Sequence, residues 1–330
     1  MQIKKPAKRL LKQLLYGSGA LSSIRALRWR QFAGCRVINF HRVLPDGTAP
    51  DYYARLMGEP TLGELEAILK YLSRQFRFMT PRELLDATTG NRRLDPNSIM
   101  LTFDDGYVDL FERLLPLLNR LQLPATVFIN SGAMHGKALW FQRLFPAIIH
   151  SPLARTPAGF GIEPMPLETT PNRVSAISAF AATHRKEPPD QWVETVTRMC
   201  HAFDWNEDLV DQRMMNWEQL AALRESPWVT IGGHTVSHAY LPMCDDQRLN
   251  QELVNCAREL RSRLNLDFLP FSYPNGGSSA RVIQAVKDSG YECAFLMSPG
   301  LNTRDTDRFQ LFREYVTPNA PGMAYDLAFR

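Results

Sequence analysis

The chain has 330 residues, of which 45% are hydrophobic and 22% charged, as in ordinary soluble globular proteins. That length can bury a large core, in one barrel-sized domain or in two smaller ones. We find no window of 18 uninterrupted apolar residues and therefore expect no transmembrane helix. Five cysteines without a CxxC pair favour reduced thiols and a cytoplasmic location.

The net charge of +4 is unevenly distributed. The first 45 residues hold ten Lys or Arg and no Asp or Glu, whereas the remaining 28 basic residues are outnumbered by 34 acidic ones. The basic excess therefore belongs to the N-terminus. Nothing indicates a basic groove for nucleic acid elsewhere, and we expect no nucleic-acid partner.

Residues 4–15 place Lys and Arg among leucines at the spacing of an amphipathic helix with a basic polar face. Lys12 interrupts the apolar core that a secretory signal would need. The leucines either pack against the rest of the protein or lie on an anionic membrane surface. We assign residues 1–34 to a basic amphipathic helical segment, with both alternatives open.

The next elements begin with an apolar run at 35–40, which predicts a strand ending at His41. A helix is predicted over 61–76. Thr80 and Glu83 form a capping box that predicts the start of another helix.

Residues 99–134 form the clearest unit of the chain. Residues 99–103 predict a buried strand, leucines recur at helical spacing over 110–118, and a second strand follows Pro124. Asp104 and Asp105 therefore follow the carboxyl end of a strand, where parallel α/β folds build active sites. Two adjacent carboxylates repel each other unless a cation or a proton separates their roles. The alternative is a solvated Asp-Asp-Gly turn.

The second half of the chain is less regular at first. Residues 140–215 are rich in proline and predict an insertion with some helix, as a lid or a substrate-facing subdomain. Its aromatic residues would line a sugar-sized cleft or belong to the core: Trp140, Phe141, Trp192, Trp205 and, just beyond it, Trp217. Strands are then predicted at 228–233, 268–273, 291–297 and 312–316, with helices at 245–264 and 279–289. This alternation predicts a parallel barrel or a doubly wound sheet.

His234 and His238 follow the predicted strand 228–233 and are four residues apart. In a helical turn, both imidazoles would leave the same face and could share one metal ion. With one aspartate they would form a three-ligand site, a type that also serves non-haem iron oxygenases. Thr235 stands where HExxH proteases carry their glutamate base, so the second aspartate of the pair is the predicted base.

Three motifs carry a resemblance to a known family: Thr102-Phe103-Asp104-Asp105-Gly106, His234-Thr235-Val236-Ser237-His238 and Phe271-Ser272-Tyr273-Pro274-Asn275-Gly276. In this order they resemble the polysaccharide deacetylase family, also called the NodB-homology domain or carbohydrate esterase family 4. The resemblance covers roughly residues 36–316. It implies an α/β fold, a distorted (β/α)7 barrel that we place at 35–320, with a divalent metal, usually zinc.

The resemblance also implies roles for individual residues. Asp105, His234 and His238 would bind the metal, and Asp104 would be the general base. The backbone N–H of Tyr273, next to Pro274, would stabilise the oxyanion.

Two positions depart from the family pattern. Ser272 stands where many members have an arginine, and we expect Arg313 to supply the missing cation near Asp104. The late catalytic histidine of the family is also missing, because no histidine follows His238. His41 resembles the histidine of family members with a rearranged motif order, which implies that it is the general acid. The remaining histidines, in loops or in the insertion, are interpreted as structural or exposed: His135, His150, His184 and His201.

The leading hypothesis is a metal-dependent hydrolase that removes N-acetyl groups from the amino sugars of a glycan. Action at the cytosolic membrane face would favour a lipid-linked oligosaccharide over a finished wall polymer. One alternative is a hydrolase of a small non-sugar amide. The other is an inactive glycan- or membrane-binding module.

Overall fold

The computed structural model describes residues 5–29, 34–91, 93–95, 97–184, 187–205 and 213–329, and the side chains of 5–10, 25–29, 184 and 328–329 are outside this description. Every structural statement below refers to the described residues.

A sheet of short parallel strands forms the centre of the molecule. Its strands are β1 (Cys35–Phe40), β2 (Arg77–Phe78), β3 (Ser98–Phe103), β4 (Ala125–Ile129), β5 (Val229–Gly233), β6 (Phe271–Ser272), β7 (Ala294–Phe295) and β8 (Glu314–Tyr315). The order is β7-β6-β5-β4-β3-β1-β8, with β2 paired to β3. All of the strand pairings are parallel. Every residue of β1, β3 and β4 is buried, as expected for strands covered on both faces.

The two ends of this path of strands are connected. The Leu296 N–H donates to the Leu311 carbonyl (2.8 Å), and the Leu311 N–H donates to the Ala294 carbonyl (3.0 Å). The segment before β8 therefore lies against β7, and the sheet curves round as a distorted barrel. The predicted α/β fold class is confirmed.

Helices occupy most connections between the strands, and further helices precede β1 and follow β8. They are α1 (Lys5–Gly17), α2 (Ala20–Trp29), α3 (Tyr53–Leu56), α4 (Leu62–Gln75), α5 (Pro81–Thr88), α6 (Leu115–Leu121), α7 (Trp140–Ile149), α8 (Thr170–His184), α9 (Pro189–Ala202), α10 (Trp217–Arg224), α11 (Asp246–Leu264), α12 (Ala280–Asp288) and α13 (Ala320–Phe329). The predicted capping box of Thr80 and Glu83 is present at α5.

Several sequence-based predictions of single elements need correction. The strands predicted at 268–273, 291–297 and 312–316 are each only two residues long, because the flanking residues pair one by one from irregular loops. The helix after Asp104-Asp105-Gly106 begins as a π-helical turn, Leu110–Leu114, before α6. The pattern did not predict α13.

The N-terminal helix α1 packs against α2 and α13. Leu15 and Tyr16 contact the cluster around Leu21 and Ala324. Leu11 and Leu14, in contrast, remain 39% and 62% exposed. Lys4 lies outside the described residues, so only part of the predicted segment 4–15 can be assessed. The alternative in which the leucines pack against the rest of the protein holds for the side of α1 that carries Leu15 and Tyr16. Among the helices that the structure describes, none is both long and apolar enough to span a membrane.

Candidate active site

The Asp-Asp-Gly turn after β3 points the two carboxylates into the barrel opening. The Asp104 N–H continues the sheet by donating to the Phe40 carbonyl (3.0 Å). Asp105 and Gly106 then adopt positive φ angles of 75° and 89°. A non-glycine residue in this region costs about 1–3 kcal/mol, a strain that is typical of functional sites.

The loop 234–238 after β5 is not the helical turn that the histidine spacing suggested. Thr235 and His238 have positive φ values of 70° and 58°. The Thr235 carbonyl accepts a hydrogen bond from the Ser131 N–H (3.1 Å). This carbonyl is therefore bonded to a neighbouring segment and not to a residue of its own turn, as it would be in a helix. Both imidazoles nevertheless reach Asp105, because the loop folds back over the end of the barrel.

A buried glutamate on α11 holds this loop. Glu252 is 2% exposed, and its Oε2 accepts hydrogen bonds from the N–H groups of Val236 and Ser237, both at 2.9 Å. Its Oε1 accepts from the Ser237 hydroxyl (2.5 Å) and lies 3.0 Å from the Arg248 guanidinium. The sequence motifs did not include Glu252. Its only signal was a charged residue on an otherwise apolar stripe of α11.

Asp105, His234 and His238 form a buried cluster whose donor atoms all lie within 4.8 Å of one another. The Asp105 Oδ1 is 3.6 Å from Nε2 of His234 and 3.6 Å from Nε2 of His238. Two donor atoms bound to one tetrahedral zinc ion at about 2.1 Å lie about 3.4 Å apart. These separations are too long for hydrogen bonds and fit a shared ion.

Two further observations agree with a cation site. The Asp105 Oδ1 is buried and has no hydrogen-bond partner among the described residues, a costly state for a carboxylate oxygen without a cation. The His234 Nδ1 lies 2.7 Å from the Ser272 carbonyl, which can only accept, so Nδ1 carries the hydrogen and Nε2 offers its lone pair. Burial lowers the pKa of His234 to about 4 and, with the Asp104 charge, raises the pKa of Asp105 to about 7 against the opposing effect of His41.

Asp104 is held by Arg313, which comes from the segment before β8. Arg313 Nη1 donates to Asp104 Oδ1 (2.7 Å) and Nη2 to Oδ2 (2.9 Å), a bidentate pair. Arg313 also donates to the Ser272 hydroxyl (2.7 Å) and to Asn39 Oδ1 (2.9 Å). Burial opposes ionisation of Asp104, but the Arg313 charge and hydrogen bonds hold the pKa of this carboxyl well below its usual range.

His41 lies at the end of β1, the strand next to β3, which carries Asp104 and Asp105. Its Nδ1 is 2.9 Å from Glu59 Oε1, and its ring stacks on Tyr315 with the centroids 5.6 Å apart. Burial opposes protonation of His41, but the nearby Tyr315 and the Glu59 carboxylate raise its pKa well above the ordinary value. Neither Glu59 nor Tyr315 belongs to a motif that the sequence singled out.

A cavity of about 520 Å³ is lined by Asp105, His41 and His238. The helices of the insertion also line it, through Trp140, Phe141, Phe145, Ile177, Ser178, Ala181 and Ala182. Trp192, by contrast, is 1% exposed and belongs to the core. The insertion therefore supplies a mostly apolar wall, and the rings of Trp140 and Phe141 lie beside the His238 ring, with centroids 6.1 and 5.2 Å away.

The turn after β6 differs from its predicted role. The Tyr273 N–H donates to the Phe295 carbonyl (3.1 Å), and the Tyr273 side chain is fully buried. That N–H is therefore engaged in the sheet, because the residue before Pro274 stays extended and continues the ladder. The residue of this turn that lines the cavity is Asn275, with a positive φ of 53°.

His135, His150 and His201 do not line the cavity. His135 pairs with Glu259 (3.0 Å) and packs edge-on against Trp217. His150 and His201 are exposed, and the side chain of His184 is outside the described residues.

Comparison with known proteins adds to this geometry. The family model of polysaccharide deacetylase matches residues 91–155 and 184–294, more than half of the chain. YxkH of Bacillus subtilis (strain 168), named for the same family, is 19% identical over 263 residues, which cover 79% of this chain and 67% of the relative.

Two solved structures have a similar fold. One is the Streptococcus pyogenes deacetylase PplD in complex with acetate, with a TM-score of 0.61, 14% identity, and 90% of this chain and 99% of that chain covered. The other is IcaB from Ammonifex degensii, with a TM-score of 0.58, 19% identity, and coverage of 91% and 98%. The family-model match covers more than half of the chain and shows that this chain belongs to the polysaccharide deacetylase family. It is a hydrolase of the N-deacetylase class.

Proposed function

We propose that this protein removes N-acetyl groups from the amino sugars of a glycan or a lipid-linked oligosaccharide. The observation that carries this proposal is the convergence of Asp105, His234 and His238 beside the Asp104–Arg313 pair. All of these groups lie at or next to the wall of a cavity large enough for a sugar unit.

Asp105, His234 and His238 are the proposed metal ligands. Two imidazoles and one carboxylate are a common donor set of catalytic zinc, which is therefore the proposed ion. A divalent ion held there would supply a more acidic water and polarise the acetyl carbonyl.

Asp104 is the proposed general base. Arg313 keeps it ionised, and its Oδ2 lies 3.9 Å from Nε2 of His234, next to the point where the ligand atoms converge. From there it accepts the proton of the attacking water. Arg313 acts by holding the carboxylate in place and in its charged form.

His41 is the proposed general acid, the source of the proton that the leaving amine takes up. Its raised pKa favours the protonated ring near neutral pH, and Glu59 fixes the ring orientation. It lines the same cavity as Asp105, at the end of the strand next to the one that carries Asp104.

The partner class follows from the cavity and from α1. The apolar wall of Trp140 and Phe141 offers a surface for a sugar ring or an acetyl methyl group. Leu11 and Leu14 are exposed on a basic N-terminal segment, which supports peripheral contact with an anionic membrane on the cytosolic face. That contact would bring a lipid-linked oligosaccharide to the site.

The test is acetate release from N-acetylated amino-sugar oligomers and from lipid-linked glycan extracts, with protein that has been chelated and then restored with zinc. We expect ion-dependent release that Asp104→Asn abolishes. Asp267→Asn removes an exposed carboxylate and is the matched control. A bound ion with release only from small amides would contradict the sugar substrate, and failure to bind any divalent ion would contradict the whole proposal.

A further inference from the structure

The strand β8 carries alternating side chains to two different environments. Arg313, just before it, reaches Asp104, and Glu314 turns the other way to pair with Arg36 (2.6 Å). Tyr315 turns back to the side of Arg313 and lines the cavity. The alternation of a strand therefore aims both Arg313 and Tyr315 at the candidate active site.

The hydroxyl of Tyr315 lies next to the one ring nitrogen of His41 that can exchange a proton with substrate. Nδ1 of His41 is 2.9 Å from the Glu59 carboxylate, which accepts, so Nδ1 carries a hydrogen and is engaged there. Nε2 is left to face the cavity side, and the Tyr315 hydroxyl is 3.3 Å from it. The stacking of the two rings fixes this approach.

Exposure separates the two groups further. Tyr315 is 52% exposed, whereas only a quarter of the His41 side chain is accessible. Both residues line the cavity, so a substrate that enters it can reach Tyr315 as well as the His41 ring. A phenol is both a donor and an acceptor, so it can take a proton on its oxygen while it gives up its own.

We propose that the Tyr315 hydroxyl is the group that protonates the leaving amine, with His41 as its proton source. As the amide C–N bond breaks, the phenolic O–H gives its proton to the departing nitrogen, and Nε2–H of His41 gives its proton to the phenolic oxygen. Tyr315 ends neutral, the amine is released neutral, and His41 is left as the neutral imidazole, which regains a proton from solvent. This inference rests on the proposed amide hydrolysis.

The test is Tyr315→Phe, which keeps the stacked ring and removes only the hydroxyl. We expect kcat for an N-acetyl amino-sugar oligomer to fall about 10²–10⁴-fold, with KM nearly unchanged. An aryl acetate ester, whose leaving group needs no proton, should be hydrolysed at close to the wild-type rate. Tyr325→Phe, which removes a hydroxyl on α13, is the matched control.

A second measurement uses the double variant. If the two residues form one relay, either change alone already breaks it. His41→Ala combined with Tyr315→Phe should then be about as slow on the amide as the slower single variant. Multiplied effects of the two changes would show that the groups act separately and would overturn the relay.

Other outcomes also overturn the proposal. Unchanged amide hydrolysis in Tyr315→Phe would exclude the hydroxyl, and a rise in KM alone would make Tyr315 a sugar-stacking surface. An equal loss on amide and ester would indicate a structural role. If the wild-type protein releases acetate from no amide, the proposed function fails, and the relay fails with it.

Discussion

The replacement Arg313→Met should destabilise the protein strongly. Arg313 is 1% exposed and makes a bidentate pair with Asp104 as well as hydrogen bonds to Asn39 and Ser272. Removing one partner of a buried ion pair leaves an uncompensated charge and costs about 3–5 kcal/mol. Met approximates the length of the side chain, so the loss measures charge and hydrogen bonding more than volume.

The same substitution should also change how the free energy of unfolding depends on pH through the ionisation of Asp104. In the native protein the pKa of this carboxyl lies well below its unfolded value, so the pair stabilises the fold above the unfolded pKa, and this stabilisation is lost as the pH falls through the folded pKa. Without Arg313, burial alone raises the pKa of Asp104. The stability difference between wild type and variant should therefore be largest near neutral pH and shrink in acid.

Denaturant unfolding followed by tryptophan fluorescence at several pH values would measure this. The double variant Arg313→Met with Asp104→Asn should recover part of the lost stability, because no unpaired carboxylate remains buried. Arg82→Met, which breaks an exposed pair with Asp267, is the control and should cost less than about 1 kcal/mol. An Arg313→Met midpoint equal to that of the control, or a pH-independent difference, would refute the reasoning.

Two further predictions concern metal binding and membrane binding. Glu252→Gln should weaken zinc affinity about 10–100-fold, measured by chelator competition, because it loosens the loop that carries both histidines while the fold is retained. Gln251→Glu, an exposed change on the same helix, is its control, and equal zinc affinity in the two variants would contradict a positioning role. Leu11→Gln with Leu14→Gln should reduce cosedimentation with anionic vesicles without changing acetate release from soluble oligomers. If wild-type protein does not sediment with such vesicles, the proposed membrane contact is wrong.

The sequence was most informative where chemistry and local structure coincide. Asp104 and Asp105 follow the fully buried strand β3, and His234 follows the parallel strand β5, so the ends of parallel strands had to bring them together. This reasoning needs no knowledge of the connecting loops. Arg313 was suggested as a partner of Asp104 on a different ground, the family pattern, in which Ser272 stands where many members have an arginine.

What the sequence could not predict depends on contacts between distant segments. Glu59 lies in a loop after α3, and only the folded chain brings it to His41. The loop 234–238 follows its tertiary hydrogen bonds and not the helical spacing of its histidines. The Tyr273 N–H donates to the carbonyl of Phe295 in β7. This contact joins two segments that are distant in the sequence, so no local pattern predicts it.

The two halves of the candidate site differ in how exposed they are. Thr235 and His238 keep strained backbone conformations in a loop whose peptide groups are bound by Glu252 and by the segment that ends β4. Such fixation suits ligands that must stay at set distances from one ion. The His41–Tyr315 pair is more exposed, and Glu59 holds only its His41 side, through the N–H groups of His41 and Arg42 (3.1 and 2.9 Å) and the His41 ring. We therefore expect variation in substrate to alter the Tyr315 side and the insertion wall, and to leave the half that binds the metal unchanged.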